Sequence, residues 1–330
     1  MNDRLVSLLE NYEIEVLRTW KGRGAVLCET NQGTLILKEY SGHAEKIIFQ
    51  DEVLSHIREN SSLKTESIIR NKEGELLTTD QDGTQYVLKT YFEGRECNVR
   101  DLNECAMAME MLAGIHKAAV LENRPAGAVI SYTIAQEFEK HNKELRRVRK
   151  FLKEKGQKND FEVYLMQCYD YFFQNALRTQ EAFVRSENGE EAGNRSPVCH
   201  GDYQHHNIIF AGKDICVINF EKCAIGSPVR DIYLFMRKLL EKSNWQKEVG
   251  FHLLAAYEKE NKLSAYDYTS LYYRLAYPEK FWKIVNFYYN SGKAWIPSKN
   301  LEKLMKVNEQ EKEKTEFLQT FCEKYGIMTT

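Results

Sequence analysis

Val198-Cys199-His200-Gly201-Asp202-Tyr203-Gln204-His205-His206-Asn207 is a polar loop entered from an apolar run. Asp202 and Asn207 stand five residues apart. Phosphoryl transfer uses that spacing: a carboxylate accepts the proton of an attacking hydroxyl, and an amide oxygen a few residues on reaches Mg²⁺ held on a nucleoside triphosphate. His200 and Gly201 support the loop. A second apolar run, Cys216-Val217-Ile218, leads into Asn219-Phe220-Glu221, so residues 198–221 read as short strands around a functional loop.

Outward from this loop, residues 1–92 are β-rich. Glu13–Thr30 carries two apolar strands around Lys21-Gly22-Arg23-Gly24; Asn31-Gln32-Gly33 makes another turn and Thr34–Lys38 another strand. Ile47, Ile48, Val53, Leu54 and Ile57 form an approximate stripe on a helix over Ala44–Arg58. Further strands are expected at Ser67–Arg70, Glu75–Thr78 and Gln85–Tyr91, with Asp82-Gly83 as a hairpin turn. From Asn98 the period changes: Cys105, Met109, Leu112 and His116 share one helical face. Residues 132–185 and 246–325 also read as helical, and Ile232, Phe235, Met236, Leu239 and Leu240 mark another amphipathic helix. The expected architecture is α+β and two-lobed. A small lobe, residues 1–92, has an antiparallel five-stranded sheet and one helix; a larger, mainly helical lobe, residues 93–330, carries the loop. The boundary falls near Tyr91–Gly94.

Other charged residues fall in the order that a kinase requires. Lys38 ends an apolar strand after the turn at Gly22 and Gly24, where it can meet the α/β-phosphates of a nucleotide. Glu52, 14 residues on, is the expected partner of Lys38, with Glu45, 7 residues on, as the alternative. Asp231 opens the amphipathic helix, placed to cap it and to hold the loop backbone. His116 reads as a satisfied core histidine bracing the loop. Arg23 is either a phosphate contact or a solvated hairpin residue.

The loop is joined by Phe92-Glu93-Gly94-Arg95, by Leu112-Ala113-Gly114-Ile115-His116 and by a tail running from Tyr277-Pro278-Glu279 to Lys293-Ala294-Trp295. With these segments the chain resembles the aminoglycoside/choline kinase-like superfamily, of protein-kinase-like fold, and more narrowly the CotS-type bacterial spore coat proteins. The resemblance implies ATP and Mg²⁺ as cofactors, Asp202 as base with His200 beside it, and Asn207 with positions 219 and 221 as metal ligands. It also implies a small-molecule acceptor, other spore coat proteins as partners, and a spore coat location after cytoplasmic synthesis. In the tail, Phe281, Ile284 and Tyr288 make a helical stripe expected to be core.

One position departs from the superfamily. Its metal-binding aspartate is Asn219 here. Mg²⁺ prefers hard anionic oxygen, and an amide brings no charge. Glu221 would compensate in part, on the same side as Asn219 if the strand continues. Two readings follow. In one, the chain is a spore coat protein with a structural or interaction role and weak or no phosphotransfer. In the other, it is an active ATP/Mg-dependent small-molecule phosphotransferase with Asp202 as base. Asn219 favours the first.

Composition excludes several classes. A formal net charge of −2 over 330 residues argues against a nucleic-acid binder or a polybasic membrane binder. No run of 18 apolar residues is long enough to span a membrane, and the N-terminus lacks the pattern of a signal peptide. Eight cysteines include no C-x-x-C pair, and buried reduced thiols are expected. His205-His206 lacks further ligands at zinc spacing, and no G-x-S-x-G marks a hydrolase. Nine Lys or Arg against three Glu in residues 139–158 read as the wet face of a long helix.

Overall fold

A computed structural model describes residues 3–22, 24–123, 125, 127–186, 196–290 and 297–328. The strands are β1 Val16–Gly22, β2 Ala25–Thr30, β3 Gly33–Tyr40, β4 Lys64–Thr65, β5 Ile68–Ile69, β6 Thr78–Thr79, β7 Gln85–Thr90, β8 Arg95–Glu96, β9 Val120–Leu121, β10 Ser196–Cys199, β11 Ile208–Ala211, β12 Asp214–Val217 and β13 Ala224–Ile225. The helices are α1 Asp3–Ser7, α2 Ala44–Asn60, α3 Leu102–Ala118, α4 Ile134–Glu154, α5 Asp160–Ser186, α6 Val229–Lys242, α7 Lys247–Glu260, α8 Ala265–Ala276, α9 Glu279–Asn290, α10 Pro297–Glu309 and α11 Glu311–Tyr325. The chain divides into two compact units, one of residues 1–131, 194–234 and 256–261, the other of 132–193, 235–255 and 262–330. The lobe boundary expected near Tyr91–Gly94 lies inside the first unit.

The first unit is built on an antiparallel sheet in the order β1-β2-β3-β7-β5, with β6 paired to β7. It has six strands, one for each of the runs named above and one more than the five counted for the lobe, and the run at 75–78 yields only the two-residue β6. One sheet face is covered by the chain's start: Leu8, Leu9 and Tyr12 pack with Cys28, Leu35, Leu37 and Leu88. The stripe on α2 is buried at Ile47, Val53, Leu54 and Ile57, while Ile48 is exposed. The α3 stripe is wholly buried, His116 included. That helix starts where it does because the Asp101 carboxylate accepts from the backbone N–H groups of Asn103, 2.9 Å, and Glu104, 3.3 Å, satisfying donors that have no partner inside the helix.

A four-stranded sheet, β4-β12-β11-β8, and a three-stranded one, β13-β10-β9, frame the 198–221 segment. The hairpin β11-β12 runs in register from Ile208↔Val217 to Ala211↔Asp214. Its two ends are thereby adjacent, which brings Asn207 next to the residues that follow β12.

The second unit is helical and aromatic. Phe138 stacks on Tyr277 with ring centroids 4.1 Å apart, and Phe172 on Phe281 at 4.6 Å. Phe281 and Ile284 of the tail stripe are buried, with Tyr288 partly buried against them. In the basic run, Leu145, Val148 and Leu152 face the core, and each Lys or Arg is exposed or half-buried. The tail residues Lys293 and Trp295 lie outside the described residues.

Candidate active site

Asp231 anchors the loop. It sits in the first turn of α6 with no exposed surface, and its carboxylate accepts from His200 N at 2.5 Å, Gly201 N at 2.8 Å and His116 Nε2 at 3.1 Å. Its bonds go to the loop and to α3, not to the helix's own first-turn N–H groups, so the capping role does not hold. The His116 ring lies 2.9 Å from Tyr257 Oη through Nδ1. Burial pushes the Asp231 carboxyl up, but the His116 bond and charge and the Gly201 N–H outweigh it and hold the group below its ordinary 3.8.

Gly201 allows this approach. It has φ +78°, and a Cβ there would fall 2.0 Å from Lys222 O, so no side chain fits. His200 is fixed from both ring nitrogens: Nδ1 accepts from Asp202 N at 3.1 Å, so Nε2 carries the proton and donates to Ile218 O at 3.0 Å. Its role is to tie the loop to the strand end.

Asp202 is half-buried. Oδ2 lies 2.8 Å from Lys222 Nζ, and Oδ1 accepts from Gln204 Nε2. Burial raises its pKa, yet the Lys222 bond and charge, with the Gln204 bond, hold it below 3.8. The carboxylate is therefore ionised and covered by a lysine. Lys222 was not foreseen, since its neighbourhood depends on the turn that follows Ile218.

That turn also changes the metal position. β12 ends at Val217; Asn219 is left-handed, φ 65° and ψ 55°, and Phe220–Lys222 form a 3₁₀ turn. The strand does not continue, so 219 and 221 do not share a strand face. Asn219 Nδ2 donates to Asn207 Oδ1 at 2.7 Å, and Asn219 Oδ1 accepts from Lys38 Nζ at 3.2 Å. Asn207 Nδ2 in turn donates to Asp202 O at 2.9 Å. A directional chain results, running from Lys38 through Asn219 and Asn207 to the Asp202 carbonyl.

Glu221 is engaged elsewhere. Its carboxylate lies 2.7 Å from Nζ of Lys89, a buried lysine of β7, which also approaches Glu66 at 3.4 Å. Glu66 further accepts from Phe220 N at 2.9 Å and Gln50 Nε2 at 3.1 Å. Burial raises the Glu221 carboxyl, but Lys89 and Lys38 pull it below 4.5. Burial lowers Lys89, and its two carboxylates more than offset this, leaving it above 10.5.

Glu52, the expected partner of Lys38, is exposed on α2, as is the alternative Glu45. Neither pairs with Lys38 among the described residues. Gln50 is the buried polar residue of that helix and reaches Glu66 instead. Lys89 and Glu66 were also missed. Val87, Leu88 and Lys89 of β7 are buried in succession, so no alternation marked Lys89; its place beside two apolar residues was the available signal.

A cavity of about 400 Å³ opens beside these residues, lined by Leu27, Ile36, Lys38, Lys89, Ile209 and Asn219 among others. Gly22 belongs to its wall; Gly24 lines a different pocket, with Leu5, Trp20 and Val26. Arg23 lies outside the described residues. The cavity's size and mixed walls, apolar at Leu27, Ile36, Ile209 and Ile218 and charged at Lys38, Lys89, Glu66 and Glu96, suit a small organic ligand. The donor set does not suit Mg²⁺. Both amide oxygens are already accepting hydrogen bonds, and Glu221 and Glu66 are paired with Lys89. Among the described residues no group of three or more His, Cys, Asp or Glu is arranged to hold a metal.

Comparison with known proteins bears on the fold and the family. Spore coat protein S of Bacillus subtilis (strain 168) is 25% identical over 328 residues, covering 92% of this chain and 88% of that protein. The crystal structure of an aminoglycoside phosphotransferase from Alicyclobacillus acidocaldarius superposes with a TM-score of 0.83 at 17% identity, covering 99% of this chain and 96% of that one. Spectinomycin phosphotransferase in complex with ADP and spectinomycin gives 0.66 at 11% identity, covering 94% and 97%. At those identities the structures establish the shared kinase-like fold. The family model described as "Spore coat putative kinase YutH" matches residues 6–321, and the chain belongs to that family.

Proposed function

We propose that this spore coat family member keeps the kinase-like fold as a binding and assembly module of the coat, with weak or no phosphotransfer. The observation that carries this reading is the amide pair Asn219–Asn207, closed at one end by Lys38. An aspartate at 219 would set a carboxylate oxygen against Asn207 Oδ1, and two acceptors at that distance need a cation between them. The asparagine NH₂ supplies a donor instead, so the site is satisfied without an ion. Partners are other coat proteins, as the relationship to spore coat protein S supports.

Asp202 supports the second reading, an ATP-dependent phosphotransferase acting on an alcohol, because it stands at the base position and is ionised. One experiment separates the two. Mg·ATP is titrated calorimetrically against the wild type and Asn219→Asp, and ATP turnover is followed with a panel of small alcohols. The expected result is no Mg²⁺-dependent increment in the wild type and a gain of one in Asn219→Asp. Wild-type turnover that Asp202→Asn abolishes would overturn the module reading.

A further inference from the structure

We infer that Cys97 and Cys105 form a modification site, at which a hydroperoxide converts the two thiols into a reversible disulfide that holds the end of the 198–208 loop. Neither thiol has a role in the readings above.

Both cysteines belong to the first unit and are buried. Cys97 follows β8, and Cys105 lies near the start of α3, eight residues on. Three ties bring them together. The Arg95 guanidinium meets both oxygens of the Glu104 carboxylate at 2.7 Å, Asn98 N donates to the same carboxylate at 2.9 Å, and Asp101 N donates to Asn98 O at 2.9 Å, closing the turn between the two cysteines. The Cys105 thiol reaches back to Asn98 O at 3.8 Å, and the Cys97 and Cys105 thiols are hydrogen-bonded to each other. Sulfurs in such contact reach the disulfide length of about 2.0 Å by side-chain rotation.

Cys97 also seats the loop. Its N–H donates to Ile208 O at 2.9 Å and His205 O at 3.2 Å, on either side of Asn207. A disulfide from Cys97 to α3 therefore fixes the residue from which the end of the loop hangs.

The Cys97 thiolate attacks one oxygen of hydrogen peroxide and the O–O bond breaks. The departing hydroxide takes up the thiol proton and leaves as water, with Cys97 as the sulfenic acid. The Cys105 sulfur then attacks the Cys97 sulfur; the S–O bond breaks, and the oxygen leaves as a second water with the Cys105 proton. Two thiols lose two electrons and one peroxide gains them. The bond to Cys105, with burial, pushes the Cys97 thiol up, so thiolate is scarce and the reaction is slow. The flanking Glu96 and Asn98 are exposed, which places the thiol one residue below the surface, within reach of a reagent the size of water.

The test treats the native full-length protein with hydrogen peroxide, both as wild type and as Cys322→Ser, which removes the half-buried thiol. Free thiols are then alkylated in denaturant and the chain is digested with trypsin. Cleavage after Arg95, Arg100 and Lys117 separates the two cysteines, so the crosslink joins peptides 96–100 and 101–117. The joined peptide is expected with a loss of two alkylatable thiols in Cys322→Ser, and dithiothreitol should reverse both. Hydrogen exchange at the Cys97 N–H should slow by about tenfold in the oxidised form. An unchanged thiol count, pairing of either cysteine with another, Cys97 carried to sulfinic acid without the joined peptide, or a joined peptide formed only in urea would each overturn the site. An unchanged exchange rate would overturn its hold on the loop. The wild-type peptide map decides the pairing without any variant.

Discussion

Asp231 satisfies three donors from a site with no exposed surface, and two of these are backbone N–H groups of the loop. Removing such an acceptor strands buried donors rather than returning them to water. Asp231→Ala is expected to destabilise the protein by about 3–5 kcal/mol, read as a lowered urea midpoint with an unchanged m-value. A loss under about 1 kcal/mol would show that the loop holds its shape without the carboxylate. Residue identity was legible here: Asp231, His200, Asp202 and Asn207 could be picked out by type and spacing. Their bonds could not, since Asp231 meets residues 31 and 115 positions away.

At the scale of elements, one 3₁₀ turn reassigns several side chains. Had β12 run on, Asn219 and Glu221 would share a face. Instead the left-handed Asn219 ends the strand, an asparagine being among the few residues that tolerate that conformation, and Glu221 reaches Lys89 while Lys222 reaches Asp202. The titration of this group sets a pH profile. Asp202, Asp231 and Glu221 are lowered from 3.8, 3.8 and 4.5. Each contributes stability that is complete above its ordinary value and is lost as pH falls through the lowered one. Lys89 is raised above 10.5, so its contribution is complete below that value and is lost as pH rises through the raised one. Urea midpoints should therefore decline below about pH 4.5 and again in strong alkali. In Lys89→Met, Glu221 loses its cation and the acid decline should be shallower; an unchanged acid limb would remove Lys89 as the cause.

Helix α2 shows the same limit. Its apolar stripe located the helix, but the approximate period could not decide which of Glu45, Gln50 and Glu52 points inward. The observed phase buries Gln50 and exposes both glutamates.

Over the whole molecule, each unit carries its own apolar core, and no disulfide links the eight cysteines: seven are buried and Cys322 is half-buried. Burial raises the Cys28, Cys168 and Cys216 thiols to about 11, which suppresses the reactive thiolate. An aromatic disulfide reagent should titrate one thiol readily in the native protein and all eight after denaturation. Rapid native reaction of several thiols would contradict the buried placement. None of the helices among the described residues is long and apolar enough to cross a membrane.

The sequence by itself determined the elements, the α+β class, the loop and the substitution at 219, because period, turn chemistry and motif spacing are local properties of the chain. Tertiary structure alone decided which partner each charged group meets. Lys38 and Asn219 are 181 residues apart, and Lys89 and Glu221 are 132. Such pairings depend on sheet register, helix phase and the exact end of a strand, where a shift of one residue changes every contact. The amide at 219 was visible in the sequence; that it closes a hydrogen-bonded chain from Lys38 to Asn207 is a fact of the fold.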